Sequence, residues 1–250
     1  MNRDDASTRI GVIGGSGLTR LRALEIDCQE VVVTPYGDPS APFTLGRLNG
    51  RAVVFLPRHG SGHTIPPHRV NYRANLWALR ELGVQRVIGV AAVGGITPPM
   101  SPGRLCIPDQ VIDYTWGREH TLYNDDLDQV THIDFTRPYC ETLRQVLIEA
   151  AGAAGVLLQP GGTYGATQGP RLESAAEIDR MQRDGCDLVG MTGMPETSLA
   201  KELGLCYASC AVVVNWAAGR GEGPITMEEI ETHLGSGMEQ VLRLLGEIPA

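Results

Sequence analysis

The feature that most constrains the fold is the alternation of short apolar runs with segments of helical periodicity. Runs that we predict as strands stand at residues 9–13, 52–56, 86–91, 103–107, 188–190 and 207–214. Periodicity predicts helices at 71–82, 139–151, 174–184, 195–203 and 226–245. This alternation is typical of α/β layer proteins, in which central strands are buried on both faces. We predict one α/β domain over residues 1–250, with a mixed, mostly parallel sheet flanked by helices.

Composition excludes several classes of protein. The net charge of −8 and the pI near 5.3 argue against a nucleic-acid partner, which would require a basic patch. No apolar run approaches the ~18 residues that span a bilayer, and residues 1–5 show no secretory segment. The six cysteines include no CxxC pair and are too few for a disulfide scaffold. We therefore expect a cytoplasmic protein with reduced thiols and no membrane contact.

Small and polar residues gather where the predicted strands end, which is where α/β proteins bind ligands. These ends are Gly14-Gly15-Ser16-Gly17, Pro57-Arg58-His59-Gly60, Ala92-Val93-Gly94-Gly95 and the segment from Gly190 to Thr192. An arginine fork and bare backbone amides are typical ligands of an anion such as phosphate. A tight turn or a structural ion pair is the alternative at each end taken alone. Together the four ends favour an oxyanion site.

A metal centre is the competing interpretation of His59, His63 and His68. Their spacing does not keep three imidazoles on one helix face, and Pro66-Pro67 forbids a helix there. No cysteine or carboxylate nearby completes a known ligand set. We predict no metal and no organic cofactor.

Glu173 and Asn215 suit one edge of a flat heterocycle. Ionised glutamate only accepts hydrogen bonds, whereas asparagine both accepts and donates. Glu173 would accept from N1–H of a 6-oxopurine, and Asn215 would serve O6 and N7. Adenine has an acceptor at N1 and donors at N6, so the same pair would match it poorly. The alternative is a surface glutamate and a strand-end asparagine that caps a turn.

Six segments, in order along the chain, carry a resemblance to a known family. They are residues 13–18, 57–64, 70–75, 168–171, 191–196 and 199–202. Over essentially its whole length the chain resembles the trimeric purine nucleoside phosphorylase and methylthioadenosine phosphorylase superfamily. The resemblance implies an α/β domain whose sheet forms a distorted barrel, assembled as a homotrimer or a dimer of trimers. It also implies reversible phosphorolysis of a purine nucleoside, with inorganic phosphate as cosubstrate.

The resemblance also implies roles for individual residues. Phosphate is expected to bind Ser16, Arg58, His59, the Ala92 backbone and Thr192. The nucleoside is expected to contact Val93, Gly94, Leu172, Glu173, Met191, Asn215 and Ala217. Its 5′ end is expected to contact Met227, Ile230 and His132 of a neighbouring subunit. Asn215, Glu173 and His59 are the expected catalytic residues. Positioning and preorganised electrostatics would stabilise an oxocarbenium-like state without a covalent nucleophile.

Both ends of the substrate can be inferred from the same resemblance. Members of the family that take 6-aminopurines carry Ser at position 173 and Asp at positions 215 and 217, whereas 6-oxopurine members carry the Glu and Asn of this chain. Met227 and Ile230 match an apolar pocket for a methylthio group, with core packing as the alternative. We expect S-methyl-5′-thioinosine as the substrate. Ordinary 6-oxopurine nucleosides and S-methyl-5′-thioadenosine are the alternatives.

Two other function classes are weighed against this one. A nucleoside hydrolase would use water and commonly a calcium site rich in aspartate, and Asp125, Asp126 and Asp128 do not form such a cluster in a strand-end glycine turn. A purine-sensing module would bind the base without cleaving any bond. Whether base release requires phosphate separates all three classes.

Overall fold

The computed structural model describes residues 9–18, 23–124 and 129–249. Its strands are β1 (Ile10–Gly14), β2 (Glu25–Glu30), β3 (Phe43–Leu48), β4 (Arg51–Pro57), β5 (Arg86–Gly95), β6 (Leu105–Cys106), β7 (Gln110–Asp113), β8 (Leu158–Gln159), β9 (Thr163–Ala166), β10 (Leu188–Gly190) and β11 (Cys206–Trp216). Its α-helices are α1 (Tyr72–Glu81), α2 (Glu141–Ala153), α3 (Ala175–Arg183), α4 (Gly193–Glu202) and α5 (Met227–Glu247). The predicted α/β class is confirmed, and each predicted strand and helix is present.

The sheet branches at β5. Strands β1 and β11 pair parallel with β5, and β10 pairs antiparallel with its last residues, where Leu188 lies opposite Gly95. One path through the sheet runs β2-β3-β4-β1-β5-β10-β9-β7, and β11 leads through β6 to β8. The sheet is therefore mixed, with parallel pairs in its centre and antiparallel pairs at β2–β3 and β3–β4.

The central strands are buried on both faces because helices cover each side of the sheet. Val12 and Ile88 belong to the core beneath α2 and α5, whereas Ile13 and Val87 pack with α1 and α4. Successive side chains of a strand point to opposite faces, so neighbours in sequence enter different cores. Burial on both faces explains why these strands read as continuous apolar runs.

Two local features direct side chains toward the strand ends. The register of β11 against β5 shifts between Val213 and Asn215, and such bulges re-aim side chains next to binding sites. Thr226 caps α5 by accepting a hydrogen bond from the Glu229 amide at 3.2 Å. The helix start predicted at Thr226 is thus confirmed, and the cap fixes Met227 as the first residue of α5.

The prediction of six reduced thiols is wrong for one pair. Cys140 and Cys206 form a disulfide between residues 66 positions apart, with their Cα atoms 5.1 Å apart. The Cys140 amide donates to the Tyr207 carbonyl at 2.8 Å, so tertiary structure brings the start of α2 to the start of β11. Such a contact leaves no mark in cysteine spacing. The remaining cysteines are free: Cys28, Cys106, Cys186 and Cys210.

Within the described ranges no helix combines the length and apolarity needed to span a membrane.

Candidate active site

A cleft of about 610 Å³ opens where β1, β4, β5, β10 and β11 end. Every site residue named from the sequence lines it, with the exception of His132. These lining residues are Ser16, Arg58, His59, Ala92, Val93, Gly94, Leu172, Glu173, Met191, Thr192, Asn215, Ala217, Met227 and Ile230. Residues up to 214 positions apart in sequence thus meet in one cavity, whose size suits a small-molecule ligand.

Arg58 forms a buried bidentate ion pair with Glu196. Its Nε donates to Oε2 at 2.6 Å and its Nη2 to Oε1 at 2.8 Å, while Nη1 donates to the Val90 carbonyl at 2.8 Å. Burial opposes the charge, but the Glu196 carboxylate outweighs burial and raises the pKa of Arg58. A guanidinium has five N–H donors, so two remain for a ligand. A Cβ atom at position 15 would lie 2.6 Å from the Val90 carbonyl oxygen and 3.2 Å from Arg58 Nη1. Because Gly15 has no side chain, the backbone can pass this close to the guanidinium.

Glu196 is a residue of the site to which the sequence analysis gave no role. Its Oε1 also accepts a hydrogen bond from the Tyr207 hydroxyl at 2.7 Å, and its side chain is 1% exposed. The Glu196 carboxylate therefore accepts three hydrogen bonds although it is buried away from water. Glu196 belongs to the segment 191–196, which resembles the family, and this was the only sequence signal that could have identified it as a site residue.

His59 lies beside Arg58 as a neutral imidazole. Its Nδ1 is 2.8 Å from the Ile65 carbonyl, which only accepts, so Nδ1 carries the proton. Burial, with the Arg58 charge as the second cause, lowers the pKa of His59 to about 4. At neutral pH the lone pair is therefore on Nε2. The ring can accept a proton or a hydrogen bond from a ligand.

His63 also lines the cleft, although the sequence analysis considered it only as a metal ligand. Its Nε2 is 3.5 Å from the Ser16 hydroxyl and its ring centroid is 4.8 Å from that of His59. Its φ of 53° is unusual for a residue with a Cβ, and strained residues cluster at binding sites. In the part of the chain that the structure describes, no three His, Cys, Asp or Glu side chains group to hold a metal ion.

Thr192 precedes α4 at the same end of the cleft. It is buried, its side chain makes no capping bond to the helix, and its hydroxyl lies within hydrogen-bonding reach of the Tyr164 hydroxyl. The helical conformation is interrupted at Met194, whose φ of −122° and ψ of 141° are extended, so the regular part of α4 begins after that residue. Arg58 gives this end of the cleft its positive charge, and Thr192 adds a hydroxyl.

Glu173 and Asn215 line another part of the cleft. Glu173 accepts a hydrogen bond from the Thr167 hydroxyl at 2.6 Å, and Asn215 Nδ2 donates to the Trp216 carbonyl at 2.7 Å. Asn215 keeps one amide N–H and its Oδ1 for a ligand, and Glu173 keeps Oε2. Together they can present a mixed donor and acceptor edge to a flat ring.

The third part of the cleft is apolar. Met227 and Ile230 stand in the first turn of α5, and Met227 is 65% exposed. The structure adds residues that the sequence analysis did not include: Ile65, Pro66, Pro67 and Ile225. His132 is exposed and lies outside the cleft of its own chain. Its expected position in a neighbouring subunit's site stays a prediction.

Arg118 joins the two loops that border the cleft, and the sequence analysis missed it. Its Nη2 donates to the Thr167 and Gln168 carbonyls at 3.1 and 2.9 Å. Its Nη1 donates to the Met191 and Met194 carbonyls at 2.9 and 2.6 Å. Arg118 is buried. One side chain therefore ties the loop before Glu173 to the loop that contains Thr192.

Known proteins share both the sequence and the fold. Residues 9–248 match the family model described as "Phosphorylase superfamily". A probable S-methyl-5′-thioinosine phosphorylase of Pseudomonas syringae pv. tomato is 52% identical over 96% of this chain and 98% of its own length. A probable 6-oxopurine nucleoside phosphorylase of Dictyoglomus turgidum is 46% identical over 96% and 90%. The solved structure of methylthioadenosine phosphorylase from Schistosoma mansoni with adenine has a TM-score of 0.92 and 34% identity, covering 96% of this chain and 90% of that one.

Proposed function

Because the chain belongs to the phosphorylase superfamily, we propose that it cleaves S-methyl-5′-thioinosine with inorganic phosphate. The products are hypoxanthine and 5-methylthioribose 1-phosphate, and the role is salvage of purines and methylthionucleosides. The expected superfamily and the expected enzyme class, a nucleoside phosphorylase and thus a pentosyltransferase, are confirmed. The observation that supports this substrate is that three kinds of surface line one cleft. They are a cationic end at Arg58, a mixed polar edge at Glu173 and Asn215, and an apolar end at Met227 and Ile230.

Phosphate would bind at the cationic end. Arg58 keeps two N–H donors, the Thr192 side chain lines the cleft, and His59 Nε2 can accept from a protonated phosphate oxygen. A phosphate oxygen forms the new bond to C1′ while the bond from C1′ to N9 breaks and its electrons enter the purine. The anion stabilises the positive charge that develops on the sugar, which is preorganised electrostatic catalysis.

The departing base would be held at the mixed polar edge. Glu173 Oε2 accepts from N1–H, the remaining amide N–H of Asn215 donates to O6, and Asn215 Oδ1 accepts from N7–H once N7 is protonated. The charge that accumulates on the ring during bond cleavage strengthens the bond at O6. Ala217 is buried nearby and leaves no carboxylate that would favour a 6-amino group.

The 5′-methylthio group would lie at the apolar end. Met227 and Ile230 offer carbon and sulfur surface and no hydrogen-bond donor for a 5′-hydroxyl. The relative that is 52% identical carries the name of the proposed activity, which supports this substrate.

A broader 6-oxopurine nucleoside phosphorylase is the second candidate. The high exposure of Met227 leaves the 5′ end of the cleft open in a single chain, so a 5′-hydroxyl could be solvated there. We propose that a homotrimer, or a dimer of trimers, closes this end with His132 of the neighbouring subunit. A cytoplasmic location and one domain over residues 1–250 also stay predictions.

Turnover of four nucleosides with and without phosphate tests the proposal. Methylthioinosine, methylthioadenosine, inosine and adenosine vary the base and the 5′ group separately. We expect phosphate-dependent release of hypoxanthine from methylthioinosine to be fastest. Equal release without phosphate would indicate a hydrolase, and binding without release would indicate a sensing module. Asp125, Asp126 and Asp128, considered for the hydrolase, lie outside the described residues.

A further inference from the structure

Thr167 is held by hydrogen bonds on both sides of its backbone. It follows β9 directly, its amide donates to the Gly190 carbonyl at 2.8 Å, and its own carbonyl accepts from Arg118 at 3.1 Å. Its position is therefore fixed relative to the end of β10 and to the loop that leads to Glu173.

The Thr167 hydroxyl donates to Glu173. Its Oγ1 lies 2.6 Å from Glu173 Oε1 and 3.4 Å from the Gly190 carbonyl. A carbonyl only accepts, and a hydroxyl has one proton, so the proton goes mainly to the nearer carboxylate. A separation of 2.6 Å is typical of a charge-assisted O–H···O⁻ bond.

Glu173 also borders a second cavity, which contains two arginines. This second cavity has a volume of about 490 Å³. It is lined by Thr167, Glu173, Arg171 and Arg180. Both arginines are largely exposed, and the pKa of Arg171 is raised mainly by its hydrogen bonds to Glu177, with the Glu173 charge as the smallest cause. Arg171 already forms a bidentate pair with Glu177, and Arg180 lies 3.7 Å from Asp184. A carboxylate released from Thr167 would still be attracted toward these two cations and away from the base.

We propose that Thr167 is a positioning residue that holds Glu173 toward the base and thereby sets the preference for purines with a hydrogen on N1. Thr167 lines the second cavity and not the cleft, so it acts through Glu173 and not on the substrate. Its bond occupies Oε1 and leaves Oε2 for the ligand. A ring nitrogen with a lone pair meets that acceptor unfavourably. The inference rests on the proposed function.

Replacing Thr167 by isosteric valine tests the inference. Hypoxanthine and adenine binding, measured by calorimetry at saturating phosphate, isolates the base edge from the 5′ group and from turnover. Thr167→Val should weaken hypoxanthine binding roughly tenfold or more, as expected for a bond to a charged group. Adenine binding should change less than about threefold, so the selectivity falls. Thr167→Ser keeps the hydroxyl and should restore most of the hypoxanthine affinity.

Two controls separate positioning from a general structural role. Thr163→Val changes the same residue type at the other end of β9, outside the cleft, and should leave both affinities and the selectivity unchanged. The KM for phosphate should stay within about twofold in Thr167→Val. Equal losses for the two bases, an altered phosphate KM, or failure of Thr167→Ser to recover would overturn the role of Thr167.

The wild-type protein reports on the proposed function separately. A wild-type protein that binds adenine as tightly as hypoxanthine would overturn the base-edge assignment itself, and the inference with it. Normal wild-type selectivity that survives in Thr167→Val would overturn the inference alone.

Discussion

Glu196 accepts two hydrogen bonds from Arg58, from Nε at 2.6 Å and from Nη2 at 2.8 Å, and each side chain is 1% exposed. The residues are 138 positions apart in sequence. The carboxylate fixes the plane of the guanidinium and compensates its charge, because water has no access to the buried pair. An anion that binds Arg58 therefore meets a preoriented donor.

Removing Glu196 should damage both stability and phosphate binding. Breaking a buried ion pair leaves an uncompensated charge, so Glu196→Ala should lower the free energy of unfolding by about 3–5 kcal/mol. Glu196→Gln should lose less because it keeps the volume and one acceptor. Urea denaturation and the phosphate KM measure the two effects. Arg171→Ala breaks a bidentate but exposed pair with Glu177 and should change stability little. Comparable losses in both variants would contradict this prediction.

Base preference should follow positions 173 and 215. A site built around a hydrogen bond can discriminate by up to ~10⁴–10⁵-fold when a mismatch leaves buried groups unpaired, and less when water enters. Methylthioinosine should therefore exceed methylthioadenosine greatly in kcat/KM. Asn215→Asp should shift the ratio toward the 6-amino base, because a carboxylic acid can donate to N7 and accept from N6. The double change with Glu173→Ser should shift it further. Similar efficiencies for both nucleosides in the wild-type protein would refute the base-edge argument.

The 5′ preference should depend on the apolar end of the cleft. Met227→Ser or Ile230→Thr should reduce kcat/KM for methylthioinosine roughly tenfold, since each removes apolar surface that covers the thioether. Inosine, which has a 5′-hydroxyl, should be much less affected. Glu228→Ala alters the same helical turn and does not line the cleft, so it serves as the matched control. Equal losses on both nucleosides would show that these residues do not read the 5′ group.

Subunits should complement one another if His132 enters a neighbour's site. Variants made inactive by His132→Ala and by Asn215→Ala would then regain partial activity when mixed under conditions that exchange subunits. Hybrid assemblies would contain some sites with both native residues. Activity assays combined with sedimentation measure this. A monomer with full activity would exclude the arrangement.

Stability should fall in mild acid because of His59. The folded pKa is about 4, set mainly by burial and then by Arg58, whereas an unfolded histidine titrates near 6.5. Between these values the unfolded chain binds more protons, so the free energy of unfolding rises with pH. The contribution is complete above pH 6.5 and is lost as the pH falls toward 4, a change of about 3 kcal/mol. Urea midpoints from pH 4 to 7 should decline less in His59→Asn than in the wild-type protein.

Strand ends could be predicted from the sequence, but the partners of their side chains could not. Arg58 and Thr192 were identified because each follows an apolar run next to small residues. Glu196 was not, because a carboxylate in a helix gives no sign that it is buried opposite an arginine far along the chain. His63 was missed as a site residue because its strained backbone appears only in three dimensions.

Five strands went unpredicted, β2, β3, β7, β8 and β9, and for most of them the sequence offers no usable pattern. Strand β2 is exposed along its whole length, so hydrophobicity gives no periodic signal there. Strands β8 and β9 have 2 and 4 residues, too few for a pattern. Arg118 likewise lies in a loop, and only the fold brings it to the carbonyl groups of two other loops. A local sequence pattern indicates whether a segment is exposed to solvent, but it does not indicate which distant segment that segment contacts.

The bonds of Arg118 have a consequence for how the two ligands influence one another. The loop that precedes Glu173 and the loop that contains Thr192 share this one cation, so we expect a ligand that orders either loop to lower the entropic cost of ordering the other. Because linkage is reciprocal, phosphate would then raise the affinity for the base by the same factor as the base raises the affinity for phosphate. We therefore expect the two ligands to bind cooperatively within a single subunit, whichever of them binds first.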